Sequence, residues 1–67
     1  METFVLVNGF AGSEPFESTL DEAIKSCEHD SNLMNTRNWL YQQIDGKFIQ
    51  IGHTVRDGYT WIYVATK

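Results

Sequence analysis

Hydrophobic positions in the 67-residue chain change from an unbroken run to a helical spacing and then to alternation. The run TFVLV at residues 3–7 is short, apolar and rich in β-branched residues, which is typical of a strand buried on both faces. Asn8-Gly9 and the following AGSEP predict a turn and a loop. The chain therefore begins with one strand and a connecting segment.

A helix is predicted for STLDEAIKSCEHD, residues 18–30. Thr19 and Glu22 have the spacing of a capping box, and acidic residues in the first turn suit the helix dipole. Residues 30–37, DSNLMNTR, are predicted to form a loop. Apolar side chains at i, i+3, i+4 and i+7 make one stripe, so this helix needs one surface to cover: Leu20, Ala23, Ile24 and Cys27.

Three strand-like runs follow, NWLYQQI, KFIQIGHTV and YTWIYVAT, separated by Asp45-Gly46 and Asp57-Gly58. Asp-Gly favours a two-residue type I′ hairpin turn, because this turn needs positive φ at both central positions. The predicted fold is α+β in the order β-α-β-β-β: a three-stranded antiparallel meander, joined at an edge by the N-terminal strand, with the helix on one face.

Counting outward from the two turns predicts a register, in which cross-strand partners share a face. The predicted pairs are Gln43 with Phe48, Tyr41 with Gln50, Trp39 with Gly52, Gly52 with Tyr63, Thr54 with Trp61 and Arg56 with Tyr59. One face is then aliphatic and suits the helix stripe: Leu40, Ile44, Ile49, Ile51, Val55, Ile62 and Val64. The other face is aromatic and lacks a cover: Trp39, Tyr41, Phe48, Tyr59, Trp61 and Tyr63, with Gln43, Gln50, Gly52 and Thr54 among them.

Gly52 would lie opposite both Trp39 and Tyr63, where an aromatic ring can lie across the glycine. The alternative is a β-bulge at Gly52.

Composition narrows the class of protein. Nine acidic and five basic residues give a net charge of −4, and 42% hydrophobic residues predict one folded, acidic domain over residues 1–67. A chain this short has a small core, and its lone Cys27 excludes an intramolecular disulfide. One cysteine and two histidines do not make a zinc site, so no metal or cofactor is expected. Self-association or a protein partner is the expected source of added stability.

The lone thiol, and an N-terminus METFVLV without a positively charged region, predict a cytoplasmic location. No apolar run approaches the roughly 20 residues of a membrane span, so no membrane partner is expected. Catalysis is not expected either, since no phosphate loop, metal-ligand spacing or nucleophile elbow is present. His53 is placed on the aliphatic face with a hydrogen bond, and Cys27 on the helix stripe, where buried thiols are inert.

The aromatic face supports a non-catalytic protein-binding function, because Trp and Tyr anchor interfaces. The predicted partner-binding residues are Trp39, Tyr41, Tyr59, Trp61 and Tyr63. Four alternatives are open: an N-terminal segment bearing Phe10 and Phe16 covers the face, cross-strand aromatic pairs simply strengthen a thin sheet, the face forms a homodimer, or bases stack on it. Direct nucleic-acid binding is not expected of an acidic chain.

The helix STLDEAIKSC after one strand, and the Trp/Tyr-rich antiparallel sheet that follows, resemble the small inhibitors that phages and mobile elements encode against host enzymes. Anti-CRISPR proteins and phage inhibitors of bacterial RNA polymerase are examples. The resemblance implies a stoichiometric inhibitor that covers a surface of a host enzyme or nucleoprotein complex, with acidic residues imitating phosphates.

A second resemblance, to the dodecins, rests on GSEPF, the DEAI helix and Trp39 beyond that helix. As an alternative function, it implies a self-associating flavin-binding protein in which Trp39 stacks on the flavin ring.

Overall fold

The computed structural model describes residues 1–66. Its elements in chain order are β1 (Glu2–Asn8), β2 (Phe16–Ser18), α1 (Leu20–Met34), β3 (Asn38–Ile44), β4 (Lys47–Asp57) and β5 (Thr60–Ala65). The five strands form one antiparallel sheet of order β2-β1-β3-β4-β5, and α1 packs on one face of it. The predicted α+β fold, a meander joined at an edge by the first strand, is confirmed.

The helix begins where its capping residue predicts. Thr19 is the N-cap, and its Oγ1 accepts a hydrogen bond from the backbone N–H of Glu22 at 3.2 Å. The helix continues to Met34, so the predicted loop over residues 30–34 is wrong. It ends at Asn35, which adopts the left-handed conformation with φ 53°, one that asparagine tolerates better than most residues. The last turn is held on the sheet by Ser31, whose Oγ lies 2.6 Å from Thr54 Oγ1.

Strand β2 lies in a segment that the sequence pattern assigns to a loop. Its three residues pair antiparallel with β1, and Phe16 lies opposite Phe4 with ring centroids 6.1 Å apart. Three residues are too few to show alternation, so only contact with β1 defines this strand.

The first hairpin turn is confirmed, because Asp45 and Gly46 have φ of 52° and 77°, as a type I′ turn requires. The second turn consists of Gly58 and Tyr59, and only Gly58 has positive φ, 63°. Glycine at the first central position is typical of a type II′ turn. The predicted pairings of β4 with β5 are therefore wrong by two residues: Thr54 pairs with Tyr63, and Arg56 with Trp61.

A β-bulge interrupts the pairing of β3 with β4. Tyr41 pairs with Gln50 as predicted, but Leu40 pairs with Gly52, so Ile51 is an extra residue in β4. One extra residue reverses the side of the sheet on which every later side chain lies. From Gly52 onward, each side chain of β4 therefore lies on the opposite face of the sheet from the one predicted. The same holds for the side chains of β5, which pairs with β4. The predicted separation into an aliphatic and an aromatic face is wrong for this reason.

The core lies between α1 and the sheet. Phe4, Ala23, Cys27 and Leu40 are fully buried, which confirms the central part of the predicted helix stripe. Partly buried side chains surround them: Leu6, Phe16, Ile24, Ile51 and Tyr63.

Candidate functional site

The sheet face opposite α1 is covered by no other element within residues 1–66. We call it the open face. The strand register places these side chains on it: Thr3, Val5, Val7, Glu17, Trp39, Tyr41, Gln43, Phe48, Gln50, His53, Val55, Asp57, Thr60, Ile62 and Val64.

Two rows of paired residues cross the open face. In the first row, Val7 pairs with Trp39, Trp39 with His53, and His53 with Val64. In the second, Tyr41 of the central strand β3 lies between residues of β1 and β4. Trp39 and Tyr41 are half-buried among these neighbours. Trp39 and Tyr41 therefore lie at the centre of the open face, beside five aliphatic side chains, with polar side chains among and around them.

The structure separates the five residues that the sequence predicts as partner-binding. Trp39 and Tyr41 lie on the open face. Tyr59 lies in the second hairpin turn and is 97% exposed. Trp61 and Tyr63 lie on the α1 side of the sheet, because the bulge reverses the facing of β4 and β5. These five side chains do not form one surface.

Trp61 connects β5 to the end of α1. Its Nε1 donates to Asn35 Oδ1 at 3.1 Å, and Arg56 Nη1 donates to the same oxygen at 2.7 Å. The Arg56 guanidinium lies 5.8 Å from the centroid of the Trp61 ring, within the range of a cation–π interaction. These contacts give Trp61 a role in holding the helix to the sheet.

Tyr63 covers Gly52, as the sequence predicts for an aromatic ring at this glycine. A Cβ at position 52 would collide with the Tyr63 ring and hydroxyl. The hydroxyl donates to the carbonyl of the bulge residue Ile51 at 3.2 Å, and burial raises the Tyr63 pKa above its ordinary value. Tyr63 pairs with Thr54, two residues along β4 from Gly52, so its ring reaches Gly52 diagonally. The other predicted partner of Gly52, Trp39, lies on the opposite side of the sheet.

The N-terminal segment does not cover the open face. Phe16 packs beside the core on the α1 side, and Phe10 is 74% exposed in the loop after β1. Asn8 Oδ1 holds that loop by accepting the backbone N–H groups of Phe10 and Ala11 at 2.8 and 3.0 Å. The alternative in which Phe10 and Phe16 form a lid over this face is therefore wrong.

His53 lies in the middle of the first row instead of on the helix side. It is half-buried, and its Nδ1 is buried without a hydrogen-bond partner in the described structure. The hydrogen bond predicted for this histidine is not found at Nδ1.

Cys27 is buried in the core and is not in a disulfide. Burial raises the pKa of its thiol to about 12, and the nearby carboxylates of Asp30 and Glu28 act in the same direction. At neutral pH the thiol stays protonated, so it is a poor nucleophile.

At both edges of the sheet, side chains form hydrogen bonds with backbone groups that an added strand would need. Asn32 of α1 hydrogen-bonds both backbone groups of Trp61, and Glu28 Oε2 accepts the N–H of Tyr63 at 2.8 Å. At the other edge, Ser13 Oγ accepts the backbone N–H of Leu6 at 2.9 Å, and the backbone N–H of Ser13 donates to the Leu6 carbonyl at 2.7 Å. Beyond that lies β2, which has only three residues. An added strand therefore finds few free backbone groups, which leaves the open face as the main candidate surface.

A buried polar network, which sequence reasoning missed, joins α1 to β3 and β4. Thr54 Oγ1 accepts from the Asn38 backbone N–H at 2.8 Å and bonds Ser31. The Asn38 side chain donates to Cys27 O at 3.2 Å and to Asp30 Oδ2 at 2.7 Å, while its Oδ1 is buried without a partner. Asn38 lies between Arg37 and Trp39, and Thr54 between His53 and Val55, so no local signal marks either residue as buried.

A shallow groove runs between α1 and β1. It has a volume of about 400 Å³ and is lined by Leu6, Lys25, Ser26, His29 and Asp30. The Asp30 carboxylate is hydrogen-bonded to Asn38, so one of its oxygens serves to hold the helix. The groove has residues of both charges on its rim and no feature that selects one ligand.

Within residues 1–66, no group of three His, Cys, Asp or Glu side chains is placed to hold a metal ion. The one helix of this region is too short and too polar to cross a membrane. Comparison of the chain with protein-family models, with curated proteins and with solved structures finds no match.

Proposed function

We propose that this chain is a non-catalytic protein-binding domain that acts through the open face. The observation that carries the proposal is an apolar sheet face, centred on Trp39 and Tyr41, that no other part of residues 1–66 covers. Contiguous apolar patches above a few hundred Å² are uncommon on soluble monomers and mark interaction sites. Tryptophan and tyrosine at the centre of such a patch supply large rigid contact areas with a polar tip.

The distribution of charge supports a protein rather than a nucleic acid as partner. Within the described part of the chain, the open face contains no Lys or Arg, and the two acidic residues that the register places on it, Glu17 and Asp57, lie at its edges. Binding of a phosphate backbone needs clustered lysine and arginine, and base stacking needs several rings along one path. The bulge removes Trp61 and Tyr63 from that path, so the base-stacking alternative loses two of its aromatic residues.

Within this class, the proposed role is that of a stoichiometric inhibitor that covers a surface of a host enzyme or nucleoprotein complex. The support is the size, acidity and architecture that the chain shares with phage-encoded inhibitors. Asp21 and Glu22 lie exposed on α1, away from the open face. Beside the open face, an acidic helix surface of this kind would form a second contact, in which its carboxylates imitate phosphates toward a nucleic-acid-binding target.

The dodecin-like alternative predicts that Trp39 stacks on a flavin. Trp39 lies on the open face, so a flavin would have to bind there. Quenching of flavin fluorescence by the purified chain, abolished by Trp39→Ala, would favour this alternative over protein binding.

The experiment that tests the proposal uses the immobilised full chain to bind proteins of a cell extract and, separately, free copies of itself. Trp39→Ala and Tyr41→Ala are compared with Leu33→Ala, which changes a 72% exposed residue of α1. Truncation of a central Trp is expected to cost about 2 kcal/mol, or about 30-fold in affinity, whereas the control should bind like the wild type. Equal binding by wild type and both face variants would contradict the proposal.

A further inference from the structure

We infer that the protein that binds the open face is a second copy of this chain, stacked face to face in a symmetric dimer. This inference rests on the proposed function, because it names the partner of the same surface. In a dimer with a two-fold axis, the same surface patch of the two copies forms both sides of the interface. The two sheets would lie about 10 Å apart, with the two α1 helices on the outside.

The dimensions of the sheet fit such a dimer. The domain measures 36 × 23 × 18 Å. The eleven residues of β4, at about 3.3 Å each, account for the longest axis, and five strands at about 4.8 Å account for the second. The product of these two axes, about 800 Å², is the upper limit for the outline of the face, and it is close to the area that a stable interface of standard size buries on each partner. The partner must therefore cover nearly the whole face, and a second sheet of the same outline does so.

The side chains of the open face suit packing between two sheets. Val5, Val7, Val55, Ile62 and Val64 are short and β-branched, the kind of side chain that interdigitates in a sandwich core. The charged residues that the register places on this face, Glu17 in the edge strand β2 and Asp57 at the end of β4, lie at its rim.

The net charge of −4 does not oppose this arrangement. In a face-to-face dimer, the acidic outer surfaces of the two helices are separated by both sheets. Each domain is 18 Å thick, and charges more than about 10 Å apart are largely screened at 0.1 M salt. The repulsion between the acidic helices is therefore small beside the apolar area that is buried.

Pairing between two sheet edges is hindered, and the monomer core is small. Side chains of Glu28, Asn32 and Ser13 occupy backbone groups at the sheet edges. Only four hydrophobic residues among residues 1–66 are fully buried in the monomer, and a second copy supplies the added apolar burial that small domains obtain by oligomerisation.

The test is sedimentation equilibrium of the full chain from about 1 μM to about 1 mM. Ile62→Lys and Phe48→Lys each place a charge on the open face at side chains that are 37% and 42% exposed, so the monomer can keep the ammonium group in water. Leu33→Lys makes the same change on the outer side of α1. Circular dichroism checks the folding of each variant. The wild type should reach twice the chain mass of 7.7 kDa, both face variants should dimerise at least about tenfold more weakly, and the Leu33 variant should match the wild type.

A second measurement does not depend on the lysine variants. In a Trp61→Phe background, the remaining indole is Trp39, and its quenching by acrylamide should fall as the chain concentration rises. A wild-type chain that stays monomeric at about 1 mM, or a dimer in which Trp39 stays quenchable, overturns the inference. If the monomeric chain binds another protein through contacts that Ile62→Lys disrupts, only the second-copy inference fails. If no binding of any protein responds to the face variants, the proposed function fails as well.

Discussion

The side-chain amide of Asn32 forms two hydrogen bonds with the backbone of Trp61: Oδ1 accepts its N–H at 2.9 Å, and Nδ2 donates to its carbonyl at 3.0 Å. This pair reproduces the contacts that a neighbouring strand would make. Glu28, one turn earlier on α1, accepts the N–H of Tyr63. The helix therefore protects the outer edge of β5 in addition to covering the core.

Asn32→Ala should lower the free energy of unfolding by about 1–2 kcal/mol, because two backbone groups of Trp61 lose their partners. Amide hydrogen exchange at Trp61 should accelerate more than the global loss of stability explains. Urea unfolding and exchange monitored by NMR measure the two effects. Ser26→Ala, an exposed substitution on the same helix, is the control. Unchanged exchange at Trp61 would show that Asn32 does not protect this edge.

Gly52→Ala should destabilise the fold by about 1–3 kcal/mol, because the new methyl group occupies the space of the Tyr63 ring. The displaced ring would also lose the hydrogen bond from its hydroxyl to Ile51 O. Gly9→Ala is the matched control, since a Cβ at position 9 meets nothing within 4 Å. Thermal unfolding measures the melting temperature of each variant. Equal melting temperatures would argue against close packing at Gly52.

The two tryptophans should respond differently to truncation. Trp61→Ala should lower the unfolding free energy by about 1–3 kcal/mol, because the indole packs beside Arg56 and bonds Asn35. Trp39→Ala should cost less stability and mainly weaken association, since nothing within residues 1–66 covers the outer side of this ring. Denaturant unfolding, extrapolated to the monomer, measures the first effect, and sedimentation measures the second. A reversed order of the two stability losses would contradict the assigned faces.

Stability should fall as pH rises above about 9. The Cys27 pKa is raised from its ordinary 9.0 to about 12, so the folded state holds this proton more tightly than the unfolded state. The resulting stabilisation is complete below pH 9.0 and is lost as pH rises toward about 12, by at most about 1.4 kcal/mol per pH unit. The raised Tyr63 pKa acts in the same direction.

Cys27→Ala tests this assignment. It should cost about 1 kcal/mol at pH 7, because a small cavity remains in the core. The difference from wild type should narrow above about pH 9, since the unfolded wild type gains stability there by ionising the thiol. Urea unfolding at a series of pH values measures the unfolding free energy of wild type and variant. A difference between the two that stays constant with pH would contradict a raised Cys27 pKa.

Local patterns predict much of the fold. Thr19 caps the helix, Ala23 and Cys27 face the core, and Asp45-Gly46 turns the first hairpin, because caps, stripes and type I′ turns depend on neighbours within a few residues. The α+β order and the place of the first strand follow from these elements. Trp39 and Tyr41 were also placed on an uncovered face, where the structure has them.

What only the tertiary structure decided is which side chains share a face. The bulge at Ile51 adds one residue to β4, and nothing in FIQIGH specifies that Ile51, and not Gly52 or His53, is the extra one. That choice depends on how Tyr63 packs over Gly52 and how Thr54 meets Ser31 and Asn38, contacts between residues far apart in the chain. The sequence by itself thus determined every element except β2, and their order. The composition of the open face follows from long-range packing, because one inserted residue moves every later side chain to the other side of a sheet.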